Sequence, residues 1–397
     1  MPHRTTGHST VARAQAAAVA DAGRAPRGAC GGVVALLVAA LAGVAQAAPP
    51  RAPEGGLYLG ADLSYVNEME DCGAVYRKDG KPVDPFVLMR ASGANLVRVR
   101  LWNDATWTRY SDLADVAKTI RRAREAGMQV LLDFHYSDDW ADGEKQRVPA
   151  AWAGLDAAQQ AEALHDYTRA TLASLDARGL MPEMVQVGNE TNPELMGGTK
   201  AAPIDWQRNA RLLNAGIRAV REAGREAATS PRVMLHIAQP EHVIPWFDAA
   251  RAAGVTDYDF IGISYYRKWS TRTVAELGTT IAEARRRYGA EVMVVETAYP
   301  FTDEGVDELP NLLGPDTLIP GYPATPAGQL AYLTDLTQTV VDHGGVGVVY
   351  WEPAWVSTDC KTRWGTGSSW ENAAWFDLKR HEALPAFEFL GRRYRPR

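Results

Sequence analysis

Two glutamates sit where a pair of carboxyl groups could converge on one bond. Glu190 directly follows Val185-Gln186-Val187-Gly188-Asn189, and Glu296 directly follows Val292-Met293-Val294-Val295. An acid at the end of a buried run is costly unless it is partnered. Two facing carboxyls suit glycoside cleavage: one protonates the leaving oxygen, the other attacks the anomeric carbon. The first must keep its proton near neutral pH, so its surroundings must raise its pKa. The second must stay ionised, and a neighbouring cation helps. Arg98 and Arg100, alternate residues of one apolar run, are the candidates. Taken singly, an acid after a strand is more often an ion-pair partner, and Trp351 alone would be a core indole. His135 and His236 alone would be structural histidines. The reading rests on their joint occurrence.

Such groups need elements to hold them. Eight short apolar runs read as strands: 58–63, 96–101, 129–133, 184–188, 233–237, 260–264, 292–295 and 346–351. Helical patterns separate them at 84–93, 111–127, 156–178, 206–223, 241–253, 273–288 and 326–343. Asp84-Pro85 supplies an N-cap and an N1 proline, and Gly93 a stop. Ser111 reads as the cap of the next helix, whose last turn carries Arg121, Arg122 and Arg124, as the helix dipole favours. This alternation predicts an α/β fold, a single-domain (β/α)8 barrel. A doubly wound open sheet expects a glycine-rich turn after its first strand. Here that turn reads Ser64-Tyr65-Val66-Asn67. Barrel chemistry gathers at the C-terminal strand ends. Those ends carry Asp62, Asp133-Phe134-His135-Tyr136, Asn189-Glu190, His236, Tyr265-Tyr266, Glu296 and Trp351-Glu352. The fourth and seventh strands face each other across the mouth. Their carboxyls are expected about 5 Å apart, the separation of a retaining mechanism.

The whole chain bounds the partners. It has 397 residues, 46% of them hydrophobic, and a formal net charge of -6, which argues against nucleic acid. Its 12 tryptophans are many; exposed indoles serve carbohydrate binders as stacking platforms. Arg24 and Arg27, the apolar run 31–44 and Ala45-Gln46-Ala47 read as a signal peptide over residues 1–47, with an over-long start. The run is short for a membrane span. Residues 48–397 are then one catalytic barrel, secreted or periplasmic, free of the membrane after cleavage, and expected to be a monomer. Cleavage removes Cys30 and leaves Cys72 and Cys360. In an oxidising compartment these are candidates for a disulfide. They follow the first and eighth strands, which a closed barrel makes neighbours. No CxxC or His/Cys cluster suggests zinc, and no cofactor is expected.

Several longer stretches are distinctive. They include Gly60-Ala61-Asp62-Leu63-Ser64, Val97-Arg98-Val99-Arg100-Leu101-Trp102 and Leu131-Leu132-Asp133-Phe134-His135-Tyr136-Ser137-Asp138. Others are Val185 through Glu190, Ile261-Gly262-Ile263-Ser264-Tyr265-Tyr266, Val294-Val295-Glu296-Thr297, Tyr350-Trp351-Glu352-Pro353-Ala354-Trp355 and Gly367-Ser368-Ser369-Trp370-Glu371-Asn372. In order and over nearly the whole mature chain, they resemble the arabinogalactan endo-β-1,4-galactanases, glycoside hydrolase family 53 in the clan of retaining barrel enzymes. The resemblance implies galactan as substrate, with Glu190 as acid/base and Glu296 as nucleophile. It implies that Asn189 bonds the sugar 2-hydroxyl, and that Arg98 or Arg100 holds the nucleophile ionised. Tyr265 or Tyr266 would bond the nucleophile, and Trp351 would form the floor under the reacting sugar. His135, His236 and Trp370 join the substrate-binding set. The chain departs from the family pattern at Thr191 through Gly198 and at Arg267-Lys268-Trp269-Ser270, loops that would contact sugars beyond the cleaved bond. Some bacterial relatives hold calcium in a late loop. Residues 303–316 are acidic but lack regular ligand spacing, and calcium stays open. The alternatives are a related barrel hydrolase acting on mannan or cellulose, a barrel that only binds polysaccharide, and a metal-dependent hydrolase using His135 and His236.

Overall fold

A computed structural model describes residues 56–397. The signal-peptide reading and Cys30 lie outside the described residues. Eight strands form the core: β1 (Tyr58–Asp62), β2 (Leu96–Leu101), β3 (Gln129–Phe134), β4 (Met184–Val187), β5 (Arg232–Ala238), β6 (Phe260–Ser264), β7 (Glu291–Glu296) and β8 (Gly347–Tyr350). Each pairs in parallel with the next, and β8 pairs with β1 to close the barrel. The strands are apolar almost throughout because both faces are covered.

Alternation along the strands builds the site. Leu96, Leu131, Met184, Met234, Phe260 and Met293 meet inside the barrel as an apolar plug with Tyr58 and Val349. Two residues further along, on the same side of each strand, stand Arg98, Asp133, Gln186 and His236. A polar layer therefore rests directly on a dry one. Gly60 makes the β1–β2 approach possible: a Cβ there would lie 1.9 Å from the Leu96 carbonyl oxygen.

The helices are α1 (Val66–Asp71), α2 (Pro85–Ser92), α3 (Leu113–Glu125), α4 (Ala157–Asp176), α5 (Trp206–Glu226), α6 (Pro240–Ala252), α7 (Val274–Tyr288) and α8 (Pro326–Asp342). Asp84 caps α2 by accepting from Phe86 N, and Gly93 ends it in the left-handed region at φ 115°. Ser111 does not cap α3. Asp112 does, accepting from Asp115 N at 2.8 Å, because the Ser111 hydroxyl is turned inward to Arg100 Nε at 3.1 Å. The helix position after β8 is filled by a 3₁₀ segment, Pro385–Gly391, which packs on both α8 and α2.

Cys72 and Cys360 are joined, with Cα atoms 5.5 Å apart and a sequence separation of 288. The bond ties the end of α1 to a small hairpin, Lys361–Thr362 with Gly365–Thr366. Closing so long a loop restricts the unfolded chain, which stabilises by up to about 5 kcal/mol. Cys360→Ser should lower the melting temperature and expose Cys72 to thiol titration. Two titratable thiols at these positions in the unreduced wild type would contradict the bridge.

Candidate active site

Arg98 is the centre of the polar layer, and it is 1% exposed. A guanidinium offers five N–H donors, and here five acceptors meet it. Nη1 reaches Asp62 at 2.9 Å and Glu296 at 2.8 Å. Nη2 reaches Asp133 at 2.8 Å and Asn189 at 2.7 Å, and Nε reaches Gln186 at 3.3 Å. Burial works against the Arg98 charge, but Asp133, Glu296 and Asp62 outweigh it and raise its pKa. Burial likewise works against the Asp133 anion, yet Arg98 and His135 hold its pKa below the ordinary value.

Glu190 and Glu296 converge as expected. A carboxylate oxygen of each, with a His236 ring nitrogen, lie within 4.8 Å of one another. Their surroundings differ. Glu296 receives Arg98 and the Tyr266 hydroxyl at 3.0 Å. Among the described residues, Glu190 receives only neutral donors, Gly143 N at 3.0 Å among them. Burial raises the pKa of both, that of Glu296 to about 8 despite Arg98. A value of 8 alone would protonate Glu296 at neutral pH. Groups this close titrate as a pair sharing a proton, and the hydrogen bonds decide where it sits. The one cation in contact touches Glu296, so the charge belongs there and the proton on Glu190.

The other anticipated residues separate. Asn189, His135, Arg100, Trp351 and Trp370 line the same cleft, which has a volume of about 420 Å³. Arg98, not Arg100, holds Glu296. Arg100 instead stacks over Tyr65, Trp102 and Trp140, 4.1–4.8 Å from the ring centroids. Tyr266, not Tyr265, reaches Glu296; the Tyr265 hydroxyl donates to Arg272 O outside the cleft. His236 lies beneath the cleft lining, fully buried. Trp370 stands edge-on to Trp351 at 4.7 Å and donates its indole N–H to the Trp351 carbonyl, so it also braces that ring. The histidine rings are committed to hydrogen bonds. His135 Nδ1 accepts from Ala141 N, and its Nε2 faces Asp133 at 3.2 Å.

Residues not singled out in the sequence also shape the cleft: Trp140, Gly143, Gln239 and His242, with Trp269 from the loop after β6 beside them. One signal is backbone conformation. Tyr136, Glu190 and Gln239 all take positive φ (47°, 43° and 66°) within a few residues of the ends of β3, β4 and β5. Non-glycine residues held there store strain, which concentrates at functional sites. The acids near the late loop serve the loop itself. Glu371 accepts from Val306 N, and Asp307 from Leu309 N and Ser368 N. Asp316 pairs with Lys268.

A model of glycosyl hydrolase family 53 matches residues 58–390. An arabinogalactan endo-beta-1,4-galactanase of Cellvibrio japonicus is 55% identical over 363 residues, covering 90% of this chain and 95% of its own. The endo-beta-1,4-galactanase of Bacillus subtilis is 37% identical over 334 residues, covering 79% of this chain and 76% of its own. Among solved structures, the Ignisphaera aggregans family 53 catalytic domain matches with a TM-score of 0.77 at 30% identity, covering 86% of this chain and 97% of its own.

Tyr266→Phe removes one hydrogen bond to a buried carboxylate and little volume. A charged hydrogen bond contributes about 1.5–3 kcal/mol, so kcat should fall roughly 10- to 100-fold with the melting temperature nearly unchanged. An unchanged kcat would separate Tyr266 from the chemistry.

Proposed function

The chain belongs to glycosyl hydrolase family 53, and from that premise we propose an endo-acting, retaining glycoside hydrolase that cleaves β-1,4-galactosidic bonds in galactan and type I arabinogalactan. The observation that carries the mechanism is the carboxyl pair within 4.8 Å, with Arg98 on one member only. That separation leaves room for direct attack and matches a retaining pair. In the first step the Glu296 carboxylate bonds to the anomeric carbon. The glycosidic C–O bond breaks, and the Glu190 proton passes to the leaving oxygen. In the second step Glu190, now a carboxylate, takes a proton from water. The resulting oxygen attacks the anomeric carbon, and Glu296 leaves with its electron pair. Two inversions give net retention. Arg98 and Tyr266 hold Glu296 in both steps, Asn189 is placed to meet the sugar 2-hydroxyl, and Trp351 presents a ring to the sugar face.

Two exposed indoles support action along a chain rather than at its end. Trp269 is 47% exposed at the cleft, and Trp364 is 44% exposed beside Trp107. Either can stack a further sugar. Every residue in this mechanism comes from one chain, so a monomer suffices. The two carboxyls can carry the reaction without a cofactor. The disulfide supports an exported protein. Among the described residues, no helix is long and apolar enough to cross a membrane.

Incubation with β-1,4-galactan, β-mannan and cellulose should yield oligosaccharides from galactan alone, with the β-anomer first by NMR. Products from mannan or cellulose instead would move the substrate, and an α-anomer appearing first would sink the mechanism.

The two glutamates should also fail differently. Glu296→Ala should be inactive on every substrate. Glu190→Ala should retain activity on aryl galacto-oligosaccharides whose leaving group needs no proton. Equal loss on the activated substrate would leave the two roles unsupported.

A further inference from the structure

Gln239 directly follows β5 and holds a backbone conformation, φ 66° and ψ 135°, in which a side chain is strained. Glycine would be comfortable there. A glutamine kept in that place points to a use for its side chain, and each end of the amide can be traced. The Tyr266 backbone N–H reaches Gln239 Oε1 at 3.3 Å. A backbone N–H only donates, so the amide oxygen is on that side and Nε2 is the other atom. Among the described residues nothing accepts from Nε2, and that atom is not sealed from solvent. Gln239 is otherwise buried, 7% exposed, and it lines the cleft. Its free donor is therefore open to whatever occupies the cleft.

The barrel order places this donor relative to the reacting sugar. Trp351 stands beside Trp140 with ring centroids 5.9 Å apart, on a wall built from β8 and the loop after β3. The strand β4, which leads to Glu190, lies between β3 and β5. Gln239 is thus on the β5 side of Glu190. The two are close neighbours through Gly143, whose N–H holds Glu190. A Cβ built on Gly143 would lie 3.6 Å from Glu190 Oε2 and 3.4 Å from the Ala238 Cβ. Asn192 locks this corner, accepting from Ala238 N at 2.7 Å and donating to Ala238 O at 2.8 Å.

We propose that Gln239 is a specificity-determining residue whose Nε2 donates to a hydroxyl of the sugar on the leaving-group side of the cleaved bond. This rests on the reading of Glu190 as the acid. The Glu190 proton passes to the leaving oxygen, so the sugar carried by that oxygen begins at Glu190. It runs away from Trp351 and onto the corner formed by Asn192 and Gln239. An amide already held at its oxygen end loses little freedom when its nitrogen binds. The oxygen end also steadies Tyr266, whose hydroxyl reaches Glu296. A role limited to that support would act on the chemistry of every substrate.

Two substrates separate the roles. A β-1,4-galacto-oligosaccharide has a sugar as its leaving group, and an aryl galacto-oligosaccharide has one without hydroxyls. The quantity measured is the ratio of kcat/KM on the first to kcat/KM on the second. Gln239→Met keeps the length of the side chain and removes the donor. It should lower the ratio roughly 3- to 10-fold, the effect of one neutral hydrogen bond. Gln239→Gly removes the side chain and suits the backbone, so it should lower the ratio as far with a melting temperature near that of the wild type. It serves if the methionine variant folds poorly. An unchanged ratio in the folded variants, whether both rates fall together or neither falls, overturns the Gln239 assignment while the wild type's cleavage of the galacto-oligosaccharide stands. A wild type that leaves the galacto-oligosaccharide intact overturns the galactanase reading and this inference with it.

Discussion

A buried cation surrounded by more anions than it can neutralise governs the mouth of this barrel. Arg98 meets Asp62, Asp133 and Glu296 at once, out of water and directly above an apolar plug. Burying any of these charges alone is expensive, and the attraction among them offsets that cost only while every donor finds its acceptor. The five-donor match at Arg98 meets that condition. Its consequences spread through the neighbouring strands. Asp62 also takes the Ser64 backbone N–H and hydroxyl, fixing the turn after β1. Asp133 takes the Gln186 amide and faces His135, tying β3 to β4 and to the cleft wall. Asn189 is bound to Arg98 on one side and to Ala141 O on the other. A lysine could not replace this centre, since its compact ammonium has three donors and no planar fork.

With cations scarce, protons complete the balance. Burial drives the Glu352 pKa far up, beside Asp62, so Glu352 is a neutral acid, and its Oε1 accepts from Tyr65 N. Glu190 is the second protonated carboxyl. The difference between the glutamates is thus one of supply. Glu296 stands on the strand that faces Arg98 and receives the charge-stabilising contacts, while Glu190 stands across the mouth with neutral donors only. The same low-dielectric surroundings that make the pair costly make each of these contacts strong. In the proposed mechanism, acid and nucleophile are set apart by what lies beneath them.

The barrel was legible in the sequence because its strands are buried on both faces and read as largely apolar runs. The catalytic candidates were legible because they break those runs at their ends. Residue type could not choose within pairs. Arg98 and Arg100 share one face of β2, and only the side-chain contacts show which meets the anions and which stacks among aromatic rings. Tyr265 and Tyr266 are adjacent, and the chain's course past β6 turns one into the cleft and the other toward Arg272. The Ser111 cap failed for a related reason. A side chain that suits a helix end also suits a buried arginine, and the arginine took it. Trp140 and Trp269 come from loops, whose paths no periodicity encodes.

The walls of the cleft depend on the same floor but are supported in different ways. On one side, Arg100 holds Tyr65, Trp102 and Trp140 around its guanidinium. The disulfide-tethered hairpin leans on that wall through Arg363, which bonds Asp139 and lies over Trp107. On the other side, the late loop is closed by Glu371 and Asp307 and linked to the loop after β6 through Lys268. Neither wall touches Arg98 with a charged side chain of its own. Changes in the walls can therefore alter which sugars are held beyond the cleaved bond without disturbing the ion cluster that fixes the reaction. A barrel that places chemistry on strands and recognition on loops lets the two diverge separately, and here the boundary runs between the Arg98 cluster and the rings around it.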